Sequence, residues 1–114
     1  MSTETNIKKL QRATFDILEE AGFNDMDGAR IVKDLEENRP LWDRVVIAHS
    51  QERGGEFKLR ELLNGDPPYI DTLYILPRKE ESKKALRSMA YRWKPDEIDW
   101  IKAGEIEYLR VFFD

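Results

Sequence analysis

The chain has no cysteine, which excludes disulfide staples, thiol nucleophiles and thiolate metal sites together. Histidine occurs once, at His49, too few for a typical zinc set when cysteine is absent. No apolar run approaches the roughly 18 residues that a membrane-spanning helix requires, and mean hydropathy is −0.68. Met1 to Asn6 holds neither a basic nor an apolar stretch, so no secretory signal is expected there. There is no internal repeat, no low-complexity tract and no nucleophile elbow around Ser50.

What remains is a chain of 114 residues, 40% apolar and 37% charged. This suits one domain, 1–114, with one modest core. Soluble, intracellular (cytoplasmic) placement is the expectation. The formal net charge is −4, which disfavours non-specific binding to DNA or anionic membranes. That charge is unevenly spread. Residues 78–95 carry seven bases and two acids, whereas residues 96–114 carry six acids and two bases.

The apolar spacing predicts a helix over 7–21, with Ile7, Leu10, Phe15, Ile17, Leu18 and Ala21 on its core side. Thr5 or Asn6 would cap it, and Gly22 and Phe23 would close it. A second helix over 25–37, capped by Asn24 or Asp25, would bury Met26, Ala29, Val32 and Leu35 and stop before Pro40. Segment 41–48 reads either as a strand over 44–48 or as a helix with Pro40 in its first turn. A short helix over 57–63, a strand over 69–76 and a helix over 80–93 follow, the last burying Leu86, Met89, Ala90 and Trp93. Pro95 is placed at the start of a helix over 95–103, with Gly104 ending it, and 106–113 reads as a final strand. The expectation is an α/β or α+β fold: about three strands, in part parallel through right-handed crossovers, covered by four or five helices.

The charge anomaly falls on the helix over 80–93. Lys84, Arg87, Tyr91 and Lys94 recur at helical spacing, with Lys83 and Arg92 beside them. Lys83 and Arg87 repel each other one turn apart by a few tenths of a kcal/mol. Such a face suits an acidic protein partner, with Tyr91 and Trp100 as aromatic anchors. An aromatic among bases also suits a nucleobase, which makes nucleic acid an alternative partner. The plain alternative is a solvated face, with Glu80 pairing to Lys84.

Other motifs point elsewhere. His49 follows the strand over 44–48, where open parallel sheets place ligands, and Glu52 and Arg53 stand close in sequence. An imidazole there suits acid–base work near neutral pH. Asp25, Asp27 and Gly28 imitate part of a calcium loop, but Phe23 and Asp34 fail at its two ends, so helix capping explains them better. Helices 7–21 and 25–37 could form a helix-turn-helix, but the acids of the second would be repelled by phosphate; an αα-hairpin packed on the sheet is the better reading. Asp43, then Glu56-Phe57-Lys58, resembles the acid, acid-x-Lys core of the PD-(D/E)xK nucleases over about 16 residues. The resemblance implies Mg²⁺ held by Asp43 and Glu56, with Lys58 at the attacked phosphate, and Glu19 and Glu20 as sources of another acid. It departs from that pattern where Gly54-Gly55 precedes Glu56 and 57–63 reads as helix. The leading expectation is therefore a small binding, adaptor or regulatory protein without a cofactor, contacting its partner through Lys83, Lys84, Arg87, Tyr91, Lys94 and Trp100. The alternatives are an enzyme using Asp43, Glu56 and Lys58 or His49, and a nucleic-acid binder using the same basic helix.

Overall fold

A computed structural model describes residues 3–20, 26–48 and 70–113. Their elements run α1 (Thr3–Glu20), α2 (Gly28–Glu37), a 3₁₀ turn (Arg39–Leu41), β1 (Trp42–Ala48), β2 (Thr72–Pro77), a 3₁₀ turn (Glu80–Ser82), α3 (Lys83–Tyr91), β3 (Glu97–Ala103) and β4 (Ile106–Phe112). The four strands form one sheet in the order β1-β2-β4-β3. Every pairing is antiparallel. The fold is α+β.

The expectation of about three strands with four or five helices is corrected here. Among the described residues there are three α-helices and a fourth strand, because 97–103 is extended. Its side chains alternate between outward Glu97 and Asp99 and half-buried Ile98 and Trp100, the period of a strand. Pro95 ends α3's exit segment instead of opening a helix. Gly104, at φ +67, is the first of two residues in the β3–β4 hairpin turn, where a type II′ turn takes glycine. The helix expected over 57–63 lies outside the described residues.

The expected parallel pairing is also corrected. β2 and β3 do run the same way, joined through α3, since each is antiparallel to β4. β4 occupies the place between them, so the crossover creates no parallel contact.

One face of the sheet carries the core. Val45, Ile75 and Leu109 lie in register across three strands, as do Ile47, Leu73, Val111 and Ile98 across four. These pack with Phe15, Leu18, Ile31, Val32, Leu35, Leu86, Met89, Ala90 and Trp93 in one cluster. All three helices thus cover the same face. Trp42, with 0% exposure, meets Phe15 edge-on at 5.4 Å between ring centroids and donates from Nε1 to the Leu35 carbonyl at 2.7 Å. That carbonyl, in the last turn of α2, also accepts from the Asn38 N–H at 3.3 Å, so the indole supplies a second donor at the helix end.

The helix faces differ from expectation in detail. In α1 the buried stripe runs through Phe15 and Leu18, while Leu10 (69% exposed) and Ile17 (41%) face outward. Gln11, half-buried, takes the inward place that Leu10 was expected to hold. In α2 Ile31 replaces the expected Ala29, and Asp27 rather than Asn24 or Asp25 is the cap, its side chain accepting from the Arg30 N–H. The predicted stripe of the 80–93 segment is found unchanged: Leu86, Met89, Ala90 and Trp93 are all buried. Among the described residues no helix is long and apolar enough to cross a membrane.

Candidate functional site

The basic helix and the edge strand form one depression. Lys83, Lys84, Arg87, Ser88 and Tyr91 line it from α3, and Trp100 lines it from β3, around a volume of about 400 Å³. Two local facts place these groups. Burial of Leu86, Met89 and Ala90 turns the opposite side of α3 outward. The two-residue alternation of β3 puts Trp100 on the helix-covered face, at the strand beyond which no further strand is paired among the described residues. Trp100 stands opposite buried Leu109 and packs partly on the core.

The cations divide by partner. Lys83 is held within the molecule: its Nζ donates to Glu107 at 2.7 Å, pairs with Glu80 at 2.9 Å and sits 5.6 Å from the Trp100 ring centre. The hydrogen bonds to Glu107 and Glu80 raise its pKa above the usual lysine value. It therefore braces Trp100 rather than offering charge outward. Arg87 is exposed and, among the described residues, its charged and aromatic contact is with Tyr91. Its Nη2 donates to the Tyr91 hydroxyl at 3.2 Å, and the guanidinium lies 5.3 Å from the ring centre. Lys84 is exposed and meets no carboxylate among the described residues. The expected pairing of Glu80 with Lys84 is replaced by Glu80 with Lys83, one turn apart as i,i+3. Tyr91 is 53% exposed, so its ring is available at the rim.

Lys94 does not line this depression. It follows the helix in a left-handed conformation, φ 58, a position where glycine is usual, and its exposed side chain stands past the end of the stripe. Ser88 was not singled out in the sequence; its spacing one turn after Lys84 is the signal that places it on the same face.

The remaining candidates are not brought together. His49, Glu56 and Lys58 lie outside the described residues, as do Asp25 and Ser50. Asp43 is exposed on β1, at the irregularity between Trp42 and Arg44, where its charge acts on Arg39. Glu19 and Glu20 are exposed at the end of α1. Among the described residues no three His, Cys, Asp or Glu side chains gather as a metal set. Trp93, expected in the core, is there, and its Nε1 donates to Asp34 at 2.7 Å. The chain matches no family model, no curated protein and no solved structure at the level taken as significant.

Proposed function

We propose that this protein is a binding module, an adaptor or regulator, that holds an acidic segment of a protein partner at the depression between α3 and β3. The observation that supports it is the meeting of Lys84, Arg87, Tyr91 and Trp100, residues from two separate elements, at one opening. Lys84 and Arg87 supply charge that no described carboxylate neutralises. Tyr91 and Trp100 supply apolar contact. Charges of this kind steer an anionic partner and fix its register, while aromatic groups add contact energy. Lys83 acts here as a brace, and Lys94 is set aside.

The test is charge reversal of Lys84 and Arg87 to Glu in the full chain. The thermal midpoint should hold, because both side chains are exposed and outside the core. Affinity for a labelled Asp/Glu-rich peptide, read by fluorescence anisotropy, should fall at least about ten-fold, or roughly 1.4 kcal/mol. The wild-type affinity should also weaken as salt rises. Unaltered affinity in the double variant refutes the proposal. Preferential binding of a single-stranded oligonucleotide, with a linear log–log salt slope, would transfer the face to nucleic acid.

A further inference from the structure

We infer that the acidic partner binds as an added β-strand along the outer edge of β3, and this rests on the reading of the α3–β3 depression given above. The two edges of the sheet are treated differently. At β1 the outward N–H and C=O of Val45 are both taken by one side chain: Gln11 Oε1 accepts from the Val45 N–H at 2.9 Å, and Gln11 Nε2 donates to the Val45 carbonyl at 3.1 Å. A primary amide thereby occupies the place of a neighbouring strand. At β3 no backbone or side-chain group among the described residues takes the outer edge.

The outward groups of β3 can be named. Ala103 and Ile106 close a two-residue hairpin, so they exchange both of their hydrogen bonds. Alternation along an antiparallel pair then turns the N–H and C=O of Lys102 and of Trp100 away from β4. These are the donors and acceptors an extended chain would pair with. An edge of seven residues with no guard among the described residues is otherwise a hazard that folded proteins block, as Gln11 does on the opposite side.

Charge decides the occupant. A strand laid beside Trp100 would send every second side chain to the helix side, toward Lys84, Arg87 and Tyr91. The alternate side chains would lie beside Ile101, which is 37% exposed. The carboxylates of that second face, Asp99 and Glu97, are already engaged by Arg110 at 3.0 and 3.7 Å. The fitting ligand is thus an extended segment with acidic residues at alternate positions and apolar residues between. A second copy of this chain fits less well. Antiparallel pairing of two β3 edges would set two α3 helices on the same face, with their cationic sides flanking one seam.

Two probes test this: a ten-residue peptide alternating Glu and Val, and the same peptide with alternate backbone nitrogens methylated. Wild-type protein should bind the first and lose at least ten-fold affinity for the second, whose charge is identical. Lys102→Pro, which removes an outward N–H, should weaken the first peptide similarly, while Lys102→Ala should change it less than three-fold. The methylated probe needs no altered protein, so misfolding of the Pro variant would not rescue the idea. Equal binding of both peptides, with sensitivity to reversal of Lys84 and Arg87, overturns strand addition and leaves the acidic-partner reading intact. No binding of either peptide at low salt overturns both. Self-association in sedimentation that vanishes in Lys102→Pro would give the edge to a second copy and overturn the inference.

Discussion

The β1 and β3 edges sit at opposite sides of one sheet and are finished in opposite ways. β1 lies under α1, its Trp42 fully buried against Phe15 and faced by the Arg39 guanidinium at 3.9 Å, its outward backbone at Val45 stoppered by Gln11. β3 carries one half-buried tryptophan, faced by Lys83 of α3, and an outer backbone edge that no described group covers. The difference teaches that packing and edge protection go together. Where helices cover a strand's face closely, a side chain reaches round to the edge. Where the covering helix presents cations, no described group closes the edge.

The largest expected effect separates the two tryptophans. Trp42→Ala should cost about 3–5 kcal/mol, since it empties a fully buried site and removes the shorter of the two hydrogen bonds to the Leu35 carbonyl. Trp100→Ala should cost about 1–2 kcal/mol, since only part of its surface is buried. Urea unfolding of both variants checks this; equal losses would erase the contrast between the two sides.

Gln11→Ala comes next. It removes both bonds to Val45 and should cost about 1–2 kcal/mol. It also opens the β1 edge, so the variant should self-associate at concentrations where wild type does not, visible by light scattering. A stable, monomeric Gln11→Ala protein would show that the amide does not guard this edge.

The smallest effect concerns Lys83. Its folded-state pKa is raised, first by the hydrogen bond to Glu107 and then by that to Glu80. A raised value means that its stabilisation is complete below the unfolded lysine value and is lost as pH rises through the folded one. The thermal midpoint should therefore carry a shallow alkaline decline that begins near the usual lysine value and ends above the raised folded-state one. Glu107→Gln should flatten that decline and loosen Trp100, seen as a red shift in its fluorescence. An unchanged alkaline limb would remove Lys83 as the brace.

Much of this was legible in the sequence, and the exceptions have physical reasons. Leu86, Met89, Ala90 and Trp93 declared the inward side of α3, and so its cationic outward side, because one helical period fits them all. The strands at 42–48, 72–77 and 106–112 lie where β-branched and aromatic residues cluster. The segment 97–103 misled because Glu97, Lys102 and Gly104 mimic the charged ends and stop of a helix, while Ile98 and Trp100 fit period two. Leu10 and Ile17 misled because α1 gives an inward position to Gln11, a polar residue whose purpose lies 34 positions away at Val45. The placement of Lys83 against Glu107, 24 residues on, was equally hidden.

Composition and local periodicity by themselves determined an acidic, cysteine-free chain with a cationic helix face, since these depend only on residue type and spacing. Tertiary structure decided which tryptophan borders that face, which lysine is spent inside the molecule and which strand edge stays open. Those outcomes depend on pairing between distant segments, where a strand's neighbour is chosen by packing across the whole sheet rather than by its own residues.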